Sequence, residues 1–461
     1  VTGLDVIAAL ATPAGIGALA VVRLSGAGAE AVAERVFRGR GPLSAAPSHQ
    51  LRRGVIVHPD RPDDPIDDVL AVVMRAPASY TGETVVEFSG HGSPEAARNI
   101  VEALIDAGAR PAAPGEFTRR AFLNGKVDLA QAEAVAELVE ARGQRARRNA
   151  LAQLQGGLSE QIGALRRGLL DELAPLEAFI DFGDDVPEPP GIRRMAATIA
   201  EVRSGIDRLL GGRERGRMMT HGATVALAGR PNVGKSSLLN ALAGQERALV
   251  HDAPGTTRDV IDVEIVLGGY AVRLVDTAGI RATLDPVESA GVERARRAVK
   301  EADVALLVLE APEPPGEDDR LVAALIEGRP MLVVRNKIDL GDDATCREFA
   351  ARVAGSDGAV LPVSARRGDG LDDLVARLSG RITIVAGDDE GPTMTCLRHY
   401  EALFRARAAL ERATGALATG AFADMLAAEL RESLSALGEI TGQSVGPEIL
   451  DTIFSRFCIG K

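Results

Sequence analysis

The spacing of apolar residues divides the chain into stretches of two kinds. Short runs rich in Val, Leu and Ile recur at 18–24, 55–58, 69–75 and 85–88 and alternate with helical stretches at 27–37 and 94–107. Residues 1–120 therefore read as a compact α/β domain. The period then changes. Leu151, Leu154, Leu158, Ile162, Leu165, Leu169, Leu173, Leu176 and Ile180 follow one another in steps of three and four, which predicts one long helix with Pro175 as the place for a bend. The acidic, proline-rich stretch 181–191 (DFGDDVPEPPG) must be a loop, and Ile192, Met195, Ile199, Val202, Ile206 and Leu209 predict a second helix after it. A β/α alternation fills 217–381, and helical character resumes at 398–416, 422–437 and 447–457. An amphipathic helix must bury its stripe, and the helices on the two sides of 217–381 are natural partners. The expectation is a multidomain fold, α/β plus all-α: an α/β domain (1–120), a helical domain in two pieces (121–216 and 382–461), and a unit inserted between them (217–381).

The inserted unit carries the chemistry. In VALAGRPNVGKSS, an apolar run enters Gly229 and continues as GxxxxGKS into a helical LLNALAG. A strand that breaks into a glycine loop and opens a helix aims backbone N–H groups and the positive end of the helix dipole at one point, which suits a phosphate. Gly234 leaves room for the loop to wrap it, Lys235 reaches the β- and γ-oxygens, and the Ser236 hydroxyl can ligate magnesium. Downstream, Asp276-Thr277-Ala278-Gly279 ends a β-rich run, placing a carboxylate where it can hold magnesium through a water and a glycine N–H where it can touch a γ-phosphate. Asn336-Lys337-Ile338-Asp339 follows another strand-like run. Asp339 can accept two N–H bonds from a guanine edge, where adenine offers no such pair, and Lys337 can lie over the base. Ser364-Ala365 fits the last guanine-contacting loop. Four motifs in this order predict a Ras-like P-loop GTPase domain binding GTP through Asn232, Val233, Gly234, Lys235, Ser236, Ser237, Asp276, Thr277, Ala278, Gly279, Asn336, Lys337, Asp339, Ser364 and Ala365. Between the first two motifs, His251, Asp252, Ala253, Pro254, Gly255, Thr256 and Thr257 form a loop whose Thr257 can give magnesium a second hydroxyl only while the γ-phosphate is present, as a switch does. Ile280 stands where many GTPases carry a water-orienting glutamine, so that task passes to another polar residue; Asp285, Glu288 and Glu293 are the candidates in the segment that follows.

Composition narrows the class. At 461 residues, 46% hydrophobic and 26% charged, the chain has material for two to four domains of a soluble protein. It shows neither an apolar run of about 18 residues nor a signal-like N-terminus, which is the expectation for a cytoplasmic protein with no membrane partner. Cys346, Cys396 and Cys458 lie far apart without metal spacing, so neither disulfides nor zinc are expected. A net charge of −12 argues against non-specific coating of nucleic acid. The run RGQRARR (142–148) is the best candidate for a local basic docking face, against the plainer reading of a solvated helix surface.

GRPNVGKSS, GTTRD, DTAGI and NKID, together with PGEFTRRAFLNGKVDLAQAEA (114–134) and the terminal FCIGK, resemble the MnmE (TrmE) family of tRNA modification GTPases along the whole chain. The resemblance implies an N-terminal domain that binds tetrahydrofolate and forms a homodimer. It also implies a complex, heterotetramer or larger, with the FAD-containing MnmG protein. Together the two add a carboxymethylaminomethyl-type group at carbon 5 of the wobble uridine of tRNA, with 5-formyl- or methylene-tetrahydrofolate as one-carbon donor. Arg23, Glu83, Lys126 and the terminal Lys461 match the family's folate-binding positions. Cations suit a folate's glutamate tail and a carboxylate suits its pterin edge. Cys458, in the terminal motif, belongs to the folate side; a lone cysteine near a terminus, with no flanking histidine, is an unpromising nucleophile. The family hydrolyses GTP when two G domains meet, with potassium in place of an arginine finger. Asn232 matches its potassium-contacting asparagine, and His251, Ala253 and Thr256 lie in the loop that encloses the ion, His251 standing where a hydroxyl residue is common. Glu288 matches the family's water-orienting glutamate. The rival reading from another class is a regulatory GTPase switch in ribosome assembly, which calls for an appended RNA-binding module that the sequence does not display.

Overall fold

The computed structural model describes residues 5–182, 191–245, 262–277, 296–355, 360–387, 391–419 and 423–461. The chain divides into two compact units, one built from Val1–Ala136, Gln153–Met195 and Ala408–Lys461, the other from Glu137–Ala152 and Ala196–Arg407.

The first unit holds a seven-stranded sheet: β1 (Ile7–Leu10), β2 (Leu19–Ser25), β3 (Phe37–Gly39), β4 (Leu51–His58), β5 (Arg61–Met74), β6 (Val85–His91) and β7 (Arg110–Pro111), in the order β3-β4-β5-β6-β2-β1-β7. All neighbours are antiparallel except β1 and β7. Val22 and Leu24 of β2, Val86 and Phe88 of β6 and Val69, Ala71 and Val73 of β5 share one core with Val32 and Val36 of the helix Ala29–Val36 and Ile100 and Leu104 of the helix Pro94–Asp106. Burying each of the Val, Leu, Ile and Phe side chains contributes about 1.5–3 kcal/mol. All four expected strand runs and both helices are present. The first half of β5 (RPDDPID) escaped the sequence reading because it is exposed and carries no apolar alternation; it is held to β4 by backbone pairing.

The long helix expected from Leu151 is two helices. Gln144–Leu154 ends, and Gly157–Asp181 begins after Gly156, whose φ of 93° lies in the left-handed region that an α-helix cannot contain. Spacing of three and four residues happens to survive the turn, so periodicity alone does not detect the break. Pro175 lies inside the second of these helices. That helix packs against Ala423–Thr441, with Arg431 Nε 2.7 Å from Glu177 Oε1. Segments from the two sides of 217–381 thus pair, as the stripes required.

The second unit holds a six-stranded sheet: β8 (Ala223–Ala228), β9 (Asp262–Leu267), β10 (Tyr270–Asp276), β11 (Val304–Glu310), β12 (Met331–Asn336) and β13 (Val360–Val363), in the order β13-β12-β11-β8-β10-β9. It is parallel apart from β9, which forms a hairpin with β10. β8 and β11 are apolar at nearly every position because both faces are covered. On one side lie Leu238, Leu239 and Leu242 of the helix Lys235–Gln245 and Leu374 and Leu378 of Leu371–Ala386; on the other lie Val322 and Ile326 of Glu317–Ile326 and Phe349 of Ala344–Ala354. Strand order reverses around β8, which opens a crevice at the carboxyl ends of the strands. The described residues of the four sequence motifs fall there.

Candidate active site

The turn after β8 is the phosphate loop. Gly234 has φ 96°, and a Cβ at that position would fall inside contact distance of Asn336 Nδ2. Glycine is required here, and it lets Asn336 reach the loop: its buried amide donates to Val233 O at 2.9 Å while its oxygen accepts from Ala365 N at 3.1 Å. One side chain therefore ties the phosphate loop to the Ser364-Ala365 loop. Lys337 (φ 65°) sends Nζ to Asn232 O at 2.7 Å. Ser364 Oγ donates to Asp339 Oδ1 at 2.7 Å, and this bond, helped by Arg366 and Arg367, holds the Asp339 carboxyl below the usual carboxylate range. The residues expected to read guanine are thus assembled on the ends of β12 and β13.

Lys235 is almost fully buried, with Nζ donating to Gly229 O at 2.8 Å and Arg230 O at 2.9 Å. Burial lowers its pKa, and the Asp276 carboxylate offsets part of that. An ammonium held only by carbonyls gains strongly from an approaching phosphate. Ser236 Oγ donates to Asp276 Oδ2 at 2.7 Å, whereas Asp276 Oδ1 is buried with no hydrogen-bond partner among the described residues. An orphaned carboxylate oxygen beside a hydroxyl is a hard donor set, and it fits magnesium. Thr277 Oγ1 donates back to Leu227 O at 2.7 Å, fixing the start of the DTAG turn against β8. His251, Asp252, Ala253, Pro254, Gly255, Thr256, Thr257, Ala278, Gly279, Asp285, Glu288 and Glu293 lie outside the described residues.

One carboxylate that the motifs did not single out belongs to this site. Glu310, the last residue of β11, accepts from Lys337 Nζ at 2.7 Å and from Arg230 Nη2 at 3.0 Å. Its only sequence signal is an acid closing an otherwise apolar strand.

In the first unit two of the four folate candidates meet β2, Arg23 as part of the strand and Glu83 through Ser25. Arg23 pairs with Glu87 at 2.6 Å, lies over the rings of Tyr80 and Phe117, and points Nη1 at Gly460 O, 3.5 Å away. Glu83 accepts from Ser25 Oγ at 2.8 Å and from Arg120 Nη1 at 3.0 Å. Lys126 packs its stem on the backbone at Gly82 and donates to Pro77 O at 3.1 Å. Lys461 follows Gly460 and so reaches the same neighbourhood, placed there by Phe454 and Phe457, which are buried with Leu129 and Ala132. The sequence reading missed Arg120: burial opposes its charge, but Glu83 and Glu116 raise its pKa regardless. A cavity of about 690 Å³ adjoins this region, lined by Leu10, Ile16, Leu19, Val101 and Ile459 among others; none of the four folate candidates is on its wall. Cys458 is exposed and unbridged.

The basic run at 142–148 is only partly a solvated face. In the second unit Arg142 pairs with Glu264 at 3.0 Å, and Arg145 lies over the Tyr270 ring while donating to Gly268 O at 2.9 Å, so both hold the β9–β10 hairpin. Arg147 and Arg148 remain exposed.

Residues 6–126 match the family "GTP-binding protein TrmE N-terminus", and 129–458 match "MnmE helical domain". Three curated relatives are each named tRNA modification GTPase MnmE. That of Symbiobacterium thermophilum is 46% identical over 465 residues, covering 100% of both chains. That of Moorella thermoacetica is 45% identical and covers 99% of both, and that of a Synechococcus species is 44% identical, covering 99% of this chain and 98% of its own. With both family models matched and relatives 44–46% identical over nearly the whole of both chains, the chain belongs to the MnmE (TrmE) family of tRNA modification GTPases.

Proposed function

We propose that this protein hydrolyses GTP as one subunit of the machinery that modifies carbon 5 of the wobble uridine in tRNA. The observation that carries the reading is Asn336, whose single buried amide ties the turn at Val233 to the turn at Ala365, with the buried Lys235 opening the helix after β8 and Asp276 Oδ1, without a partner among the described residues, at the end of β10. The backbone N–H groups of 232–236 bind the β-phosphate, Lys235 bridges the β- and γ-oxygens, and Asp339 selects guanine. Water attacks the γ-phosphorus, the bond to the β–γ bridging oxygen breaks, and GDP and phosphate leave. Ser236, Thr257 and Asp276 would hold magnesium, which would neutralise charge on the phosphates. Glu288 orients the attacking water. Asn232, with His251, Ala253 and Thr256, holds potassium as two G domains pair.

In the first unit Arg23, Glu83, Lys126 and Lys461 bind tetrahydrofolate, with cations for its glutamate tail and a carboxylate for its pterin, and two copies of that unit form the homodimer. The folate supplies the one-carbon unit, and an FAD-containing MnmG partner completes the reaction on tRNA. Mass spectrometry of tRNA nucleosides from cells lacking the gene tests the proposal: an unmodified wobble uridine supports it, and an unchanged nucleoside profile overturns it.

A further inference from the structure

The end of β11 brings together groups that neither the phosphate loop nor the guanine motif accounts for. Both oxygens of Glu310 are engaged, Oε1 by Lys337 Nζ at 2.7 Å and Oε2 by Arg230 Nη2 at 3.0 Å. Arg230 is a phosphate-loop residue, and it is anchored further by Glu313 Oε2 at 2.6 Å and by the nearly buried Asp319, whose Oδ2 lies 3.4 Å from Nε. Asp319 in turn accepts from Gly316 N at 2.9 Å, so the first turn of the helix Glu317–Ile326 fixes this anchor. Lys337 also donates to Asn232 O. Asn232 and Lys337 both take positive φ, 67° and 65°, without being glycine. Such backbone persists only where surrounding bonds over-determine it.

We infer that Glu310 is a positioning residue for nucleotide binding, clamping the guanine-facing lysine and the phosphate loop to one carboxylate. Both of its oxygens are taken by these two side chains, so it acts through them. Neutralising Glu310 takes away the charged partner of Lys337 and leaves it the Asn232 carbonyl, whereas Arg230 keeps Glu313 and Asp319. The consequence is selective. Retention of guanine nucleotide suffers, and the chemistry on the γ-phosphate, which depends on Lys235 and the magnesium ligands, does not.

The inference rests on the nucleotide site proposed above, and the test separates the two. Dissociation of a fluorescent mant-GDP from the full-length protein is followed by stopped flow, for wild type and for Glu310→Gln, which keeps the side chain's volume. The expected result is dissociation about tenfold faster in the variant, the size of one lost charge-assisted hydrogen bond, and a similar rise in KM for GTP at a kcat within about twofold. Glu310→Ala gives a loss at least as large. A dissociation rate unchanged in Glu310→Gln overturns the inference. So does a variant in which kcat falls with affinity and the nucleotide-free protein melts earlier, because that marks a merely structural role. A wild-type protein whose mant-GDP is not displaced by GDP overturns the site itself, and the clamp with it.

Discussion

At the scale of single residues, the guanine loop gives the most direct prediction. Asp339 accepts from Ser364 through Oδ1, and an ionised carboxylate is an acceptor at both oxygens. Asp339→Asn replaces one acceptor with a donor, so GTP affinity falls by roughly 10- to 100-fold while xanthosine triphosphate, with a carbonyl in place of guanine's amino group, is gained. Competition of the two nucleotides against mant-GDP measures both. Glu288→Ala is expected to lose most turnover while binding GTP normally; near-normal turnover would remove its water-orienting role. The first unit supplies a pH dependence. Asp5 is held below its ordinary pKa, chiefly by its hydrogen bond from Arg110, and burial pushes Glu116 up but Arg110, the Ala113 N–H and Arg120 together bring it below its ordinary value. Carboxylates lowered by folding stabilise the fold above their unfolded pKa values, and that contribution disappears as pH drops through the folded ones. Melting temperature should therefore fall as pH is taken below about 4, and Arg110→Gln should flatten that fall.

At the scale of elements, β11 is the strand on which the second unit depends. Six of its seven residues are buried, and it carries Glu310 at its end. Leu306→Ala leaves a cavity between β8 and β12 and should cost about 2–5 kcal/mol, read as an earlier denaturant midpoint for the transition that mant-GDP binding shifts. The basic stretch 142–148 shows where composition reasoning stops. Nothing in RGQRARR distinguishes Arg145, which covers Tyr270, from the exposed Arg147, since the difference lies in the β9–β10 hairpin packed against them. Likewise, the apolar stripe through Leu154 and Leu158 was legible and the left-handed Gly156 between them was not, because a turn that preserves the spacing leaves the period intact.

At the scale of the whole molecule, the claim to test is that hydrolysis requires two G domains and a monovalent cation. GTP turnover measured in potassium and in sodium at several protein concentrations should show potassium-specific, concentration-dependent activation; indifference to the cation would remove that part of the mechanism. Among the described residues no helix is long and apolar enough to cross a membrane. The sequence by itself determined most apolar strand and helix runs, the nucleotide motifs and the family, because apolar period and the glycine, lysine and aspartate spacings of the motifs are local properties of the chain. Only the tertiary structure decided which polar groups share a partner. Glu310 joins residues 230 and 337, Arg120 joins Glu83 to Asp5, and Gly460 meets Arg23, each a pairing across tens to hundreds of residues. A charge costs too much to bury alone, so its partner is fixed by whichever strand end or turn the sheet brings beside it, and no local pattern records that.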